Sequence, residues 1–126
     1  MSNVKQYDIT IPKCDYKAIP FIYMKNGQKS ALGEKDLLFF SVKKRESDKE
    51  YVFQKTLNDG ITFDSANNKY LIEIEYEDTK DLYKGSKLLY DITIYYDGIK
   101  PKQKVVGVLE IGLKITLNEV VWWMTK

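Results

Sequence analysis

The stretch from Leu88 to Leu117 constrains the fold more than any other, because two long runs of alternating apolar residues flank a turn signal at Asp97-Gly98. Leu88, Tyr90, Ile92 and Ile94 share one parity before the turn, and Leu109, Ile111, Leu113, Ile115 and Leu117 share one parity after it. Successive side chains of a strand point to opposite faces, so a period of two is what a half-buried strand requires. Asp-Gly between two such runs marks a hairpin. The stretch supplies architecture but no chemistry.

Shorter runs repeat the pattern. Tyr7, Ile9 and Ile11 alternate with polar residues up to Pro12, where the ladder loses a donor. Ala18 to Met24 contains Pro20, which places that strand at an edge or a bulge, and it turns at Asn26-Gly27. Leu37 to Val42 is apolar in both parities, as expected for a strand covered on both sides or crossing between sheets. The charged run from Lys43 to Glu50 reads as an exposed loop, because its acids cancel the bases that a basic patch would need. Tyr51, Phe53 and Leu57 lead into Asn58-Asp59-Gly60, residue types that accept positive φ, and Ile61-Thr62-Phe63 follows. Tyr70, Ile72, Ile74 and Tyr76 form another alternating face, with Glu73 and Glu75 on its wet side. Glu77 to Leu82 carries the only helical signal, a single turn capped by Asp78 and ended by Gly85. No segment holds ten residues of helical period, so crossover helices and a parallel sheet are not expected.

A chain of 126 residues makes one domain that buries roughly two-thirds of its unfolded surface and folds without metal or disulfide staples. With 44% apolar and 30% charged residues, ten tyrosines and five phenylalanines, the composition is globular and favours strands. A net charge of +2 is too small to imply nucleic acid or an anionic membrane surface. Cys14 is the single cysteine, so no intramolecular disulfide forms. The opening residues, Met1 to Gln6, contain no apolar h-region, and no window approaches the roughly 20 apolar residues of a membrane span, so neither a classical export signal nor a membrane partner is expected.

The chain has no histidine, which removes the commonest general base and metal ligand and leaves Cys14 without the partner of a Cys-His nucleophile. Gly85-Ser86 belongs to neither a nucleophile elbow nor a phosphate loop. Asn58, Asp59, Asp64, Asn67 and Asn68 could supply oxygens to calcium, but their spacing departs from the EF-hand loop and turns already explain them. Glu73 with Glu75, or Asp78 with Asp81, would need a pocket to act as an acid/base pair. No catalytic residue, metal ligand or cofactor is expected.

Tyr95-Tyr96 beside Lys100, Lys102 and Lys104 could stack bases, yet the small net charge favours a soluble hairpin tip whose lysines block edge-to-edge pairing. Trp122-Trp123 offers large apolar anchors that one small core can hardly absorb together. Trp122, Trp123, Tyr95 and Tyr96 are therefore the candidate contact residues.

From Tyr51 onward the signals run Val52-Phe53-Gln54-Lys55-Thr56-Leu57, Asp59-Gly60-Ile61-Thr62, Asn68-Lys69-Tyr70, Glu77-Asp78-Thr79, Leu82, Gly85 and Tyr90-Asp91-Ile92, then return through Gly107 and Leu109. Ile9-Thr10-Ile11-Pro12 and the strand from Leu37 to Lys43 fit the same series. In this order and spacing the chain resembles the immunoglobulin-like β-sandwich module of tailed phages and prophages, typified by the N-terminal domain of baseplate upper proteins. Two positions depart from that pattern: the stretch after Cys14-Asp15 lacks the compact polar run usual before the second strand, and Gly85 is followed by an extra residue before the Leu88 to Ile94 strand.

The expectation is thus an all-β, immunoglobulin-like antiparallel β-sandwich of seven to nine strands over residues 1–118, with a C-terminal tail at 119–126. The resemblance implies a non-enzymatic structural protein of the virion, present in the bacterial cytoplasm during assembly, that docks to other tail or baseplate proteins or to its own copies. Two readings from other classes stay open: a carbohydrate-binding or adhesive sandwich, whose exposed tyrosines would gather on one concave sheet, and a regulatory binding domain encoded by a mobile element.

Overall fold

The computed structural model describes residues 5–6, 8–12, 16–96, 100–112 and 120–124. Among them the chain forms β1 (Lys5–Gln6), β2 (Ile9–Pro12), β3 (Lys17–Lys25), β4 (Gln28–Ser30), β5 (Leu37–Lys43), β6 (Phe53–Leu57), β7 (Gly60–Asp64), β8 (Lys69–Ile74), α1 (Tyr76–Thr79), β9 (Lys87–Tyr96), β10 (Lys100–Gly112) and β11 (Val120–Met124). The protein is all-β. Its strands hydrogen-bond into one curled mixed sheet, a half-barrel in the order β1-β10-β9-β5-β6-β7-β8-β3-β11, with β2 also on β10 and β4 on β3.

The β9-β10 hairpin is the spine of this sheet. Its register runs from Lys100 opposite Tyr96 to Glu110 opposite Lys87, shifted by one residue between Pro101 and Gln103. Leu88, Tyr90, Ile92 and Ile94 are buried on its inner face and meet Leu109 and Ile111 from the return strand. The turn residues Asp97 and Gly98, the later run of Leu113, Ile115 and Leu117, and Cys14 lie outside the described residues. Beside β9, the strand β5 sends Leu38, Phe40 and Val42 inward. Across the curl, Ile19, Phe21 and Tyr23 of β3, Ile61 of β7 and Tyr70, Ile72 and Ile74 of β8 complete one apolar cluster. Phe21, Phe40, Ile72, Ile92 and Leu109 are almost wholly enclosed, and each such side chain contributes on the order of 2 kcal/mol.

Local chemistry explains the corners. Asn26 (φ 55°) and Gly27 (φ 77°) form a two-residue loop between β3 and β4, the positive-φ pair that matches strand twist. Pro20 sits in the half of β3 that pairs only with β8, since β11 joins from Phe21 onward. A missing donor there breaks no ladder bond on the open side. A single helical turn forms, but at Tyr76–Thr79, with its N-cap at Glu75, three residues before the expected cap at Asp78; Asp78 instead stands inside the first turn and accepts from the Glu75 backbone N–H at 2.8 Å.

The strand count and polarity differ from the sequence expectation. Eleven strands are present among the described residues, and four of the pairings are parallel: β1 and β2 with β10, β11 with β3, and β6 with β7. Parallel neighbours that lie far apart in sequence need no crossover helix, because the intervening strands carry the chain back. The Asn58-Asp59-Gly60 turn also differs from a hairpin. It joins β6 and β7 through only two parallel residue pairs, Thr56 with Gly60 and Leu57 with Ile61, so the two strands separate beyond that corner.

Candidate functional site

Alternation leaves the odd positions of β5 and β9 and the even positions of β10 on the outer surface of the hairpin side. Cross-strand register arranges them in rows: Leu37 with Tyr95, Phe39 with Thr93, Ser41 with Asp91, and Lys43 with Leu89. Val106 continues the Asp91 row on β10, and Val108 continues the Leu89 row. An outer sheet face would ordinarily be polar. This one carries two apolar patches at opposite ends, separated by a polar belt.

The first patch is Leu37, 43% exposed, with Phe39 and Tyr95, whose rings meet edge to face at 5.6 Å between centroids. The second is Leu89, 38% exposed, with the half-buried Val106 and Val108. A groove of about 500 Å³ runs along this second patch, lined by Lys43, Glu46, Leu89, Asp91, Val106 and Val108 together with backbone at Tyr90 and Gly107. Two hydrogen bonds run within the belt between the patches. The Gln54 amide donates to Ser41 Oγ at 2.9 Å, and Thr93 Oγ1 donates to Asp91 Oδ1 at 2.8 Å. Ser41 and Thr93 are buried although they stand on the outer face.

Of the four residues expected to make contacts, Tyr95 stands on this face. Tyr96 points the other way, into the end of the core, where its hydroxyl and that of Tyr23 lie 2.9 Å apart and burial pushes both phenols to higher pKa. Trp122 and Trp123 belong to β11, with backbone registered against Tyr23 and Met24, so residues 120–124 of the expected tail form a strand of the sheet. Their side chains, and those of Lys100, Lys102 and Lys104, lie outside the described residues. Leu37, Phe39, Leu89, Val106 and Val108 were not singled out from the sequence as contacts. The available signal was that β5, β9 and β10 each hold apolar residues in both parities, more than one core face can use.

The other sequence candidates are engaged in local structure. Asp64 accepts from the backbone N–H groups of Ala66 and Asn67 and from the Asn67 amide, and that amide bond, ahead of the backbone bonds, lowers its pKa. Asn68 donates to the Lys29 carbonyl at 2.9 Å. Glu73 accepts from the Tyr16 hydroxyl at 2.9 Å, which raises the Tyr16 pKa. Asp78 pairs with Lys55 at 2.8 Å, the side chains of both being 13% exposed. Among the described residues no cluster of three or more acidic, histidine or cysteine side chains could hold a metal ion. Among them, too, no helix is long and apolar enough to cross a membrane. The four tyrosines Tyr16, Tyr51, Tyr76 and Tyr83 that stand out most from the surface lie on loops and on α1, with none on a strand.

No protein-family profile, curated protein or solved structure matches the chain.

Proposed function

We propose that the protein is a non-enzymatic protein-interaction module of a phage or prophage tail, built as an immunoglobulin-like sandwich and seated among baseplate proteins. The observation that carries the interaction role is the outer face of β10-β9-β5, with Leu37, Phe39 and Tyr95 at one end and Leu89, Val106 and Val108 at the other. Two apolar patches on the water side of a sheet cost solubility unless a partner covers them. Within the polar belt Gln54 already donates to Ser41 and Thr93 to Asp91, so these two bonds survive when the face is covered.

Strand order supports the finer architecture. The bridge between β6 and β7 is short, so the curled sheet divides there into β10-β9-β5-β6, with β1 and β2 along its far edge, and β7-β8-β3. An immunoglobulin variable-type domain divides its G, F, C and C′ strands from its D, E and B strands in the same order. The assignment to a tail rests on the ordered motifs from Val52 to Leu109.

Surface binding measured against purified tail and baseplate proteins of a phage or prophage whose genes flank this one tests the reading. Binding to at least one of them, weakened tenfold or more by Leu89→Lys, is expected. Failure of the folded chain to bind any of them would overturn it.

A further inference from the structure

We infer that Tyr23 and Tyr96 form an oxidative cross-linking site, at which a one-electron oxidant joins the two rings into a dityrosine that fastens β3 to β9.

The fold alone creates this pair. The two residues stand 73 positions apart in the chain, and β3 and β9 are five places apart in the strand order, so it is the curl of the sheet that brings them face to face. Their hydroxyl oxygens lie 2.9 Å apart, with ring centroids at 6.5 Å and ring planes inclined at 48°. Two phenols coupled at the carbons beside their oxygens become a biphenyl whose hydroxyls are neighbours across the new bond and whose rings are twisted about it. The pair already has that arrangement in outline, and the rings need only slide together. Tyr96 is the last residue of β9, where a shift of one ring disturbs little of the ladder. Tyr23 is buried and Tyr96 half-buried, so water has little access to a radical formed there, and the adjoining phenol is at hand to trap it.

In the coupling each phenol loses one electron and its hydroxyl proton. The two phenoxyl radicals pair their electrons in a carbon–carbon bond, and the hydrogen on each joined carbon moves to the oxygen of its own ring, which restores both hydroxyls. Two electrons pass to the oxidant and two protons to water. The protein supplies placement, because two groups held within reach need no bimolecular encounter. Tyr83, 82% exposed, meets the same residue of another copy only by collision, so coupling of that kind falls with dilution while coupling of Tyr23 with Tyr96 does not. A tie between residues so far apart in sequence also restrains the unfolded chain, and the restraint grows with the length of loop closed.

Oxidation of the folded full chain at high dilution, with persulfate and a photo-excited ruthenium complex, tests the site. The expected product is a monomer that has lost two hydrogens, shows dityrosine fluorescence and yields on digestion one peptide pair linked through Tyr23 and Tyr96. Its melting temperature should rise by about 10 °C. Tyr96→Phe should lower the yield of this monomer at least tenfold and Tyr83→Phe should leave it unchanged, with circular dichroism confirming that each variant is folded. The parent chain unfolded in urea should lose the product to a similar degree, which checks the role of the fold without any substitution. Cross-linked monomer joined through other tyrosines, Tyr70 included, would overturn the inference. So would a yield indifferent to Tyr96→Phe or to unfolding, or a folded parent that forms no intramolecular dityrosine.

Discussion

The two ends of the apolar core are closed by different chemistry. Where β6 meets α1, Lys55 points inward from the sheet and pairs with Asp78, and the same carboxylate oxygen accepts from the Glu75 backbone N–H. At the far end of β8, the closure is neutral. The Tyr70 hydroxyl accepts from the Leu32 N–H at 2.7 Å, the Tyr70 ring lies between Phe21 and Phe63, and the Tyr23 and Tyr96 hydroxyls meet beside them. An ion pair holds strongly only while both charges are present, because removing one leaves the other poorly solvated. A hydroxyl contact loses less when broken, since either partner can turn toward water. The charged end should therefore fail steeply under single substitutions at neutral pH, and the phenolic end should be tolerant there and fail in alkali.

Asp78→Ala breaks the charged end most completely, because it strips Lys55 of its partner and the Glu75 N–H of its acceptor. A loss of about 2–4 kcal/mol in urea unfolding is expected. Lys55→Met combined with Asp78→Asn keeps the cap and removes both charges, and should recover most of that loss. If the double variant is as unstable as Asp78→Ala, the ion pair is not what closes this end.

Gly60→Ala attacks the same end through the backbone. Gly60 holds φ at +99°, and an added Cβ would strike the stem of Lys55, which crosses the corner on its way to Asp78. Left-handed strain and the displaced lysine together should cost about 2 kcal/mol. Gly27, also at positive φ but with open space around it, should lose only the strain. A Gly60→Ala loss no larger than that of Gly27→Ala would show that Lys55 moves aside freely.

At the phenolic end, Tyr70→Phe should cost about 1–2 kcal/mol, because it leaves the Leu32 N–H without its acceptor while the ring packing survives. Slower amide exchange at Leu32 in the parent than in the variant would tie the loss to that bond.

How far these ends could be foreseen depends on how local their causes are. The inner face of β9, the Asn26-Gly27 loop and the single turn at α1 are legible because period, turn chemistry and capping act within a few residues. Lys55 shares parity with Phe53 and Leu57, so its inward direction was readable in principle; a lysine among apolar positions is easily assigned to water instead. The parallel neighbours were not legible. Nothing near Ile9 indicates that it will lie beside Leu109, and nothing near Val120 indicates Phe21, because such pairings are chosen by the whole curled sheet. Tyr95 and Tyr96 show the limit most clearly. Adjacent and chemically alike, they part because one residue of alternation sends Tyr95 to the outer face, against Phe39, and Tyr96 into the end of the core, against Tyr23.

The smallest effect at neutral pH is expected from Tyr96→Phe, about 1 kcal/mol for one hydroxyl contact. Its value lies in the pH dependence. Burial, the largest cause in each case, raises the pKa of Tyr23, Tyr70 and Tyr96 above the ordinary 10.0. The unfolded chain therefore releases these protons first as pH rises through about 10, binds fewer protons than the native state, and gains on it. The neutral phenols contribute fully below pH ~10, and that contribution drains away above it as pH climbs toward the folded-state values. A Phe at position 96 has no proton to release, so the variant should lose stability less steeply than the parent, and the gap between them should narrow and then reverse in alkali. Urea midpoints of both proteins from pH 7 to pH 11 measure this directly. Parallel curves across that range would mean that Tyr96 ionises as readily in the folded protein as in the unfolded chain, and that the phenolic end is open to water.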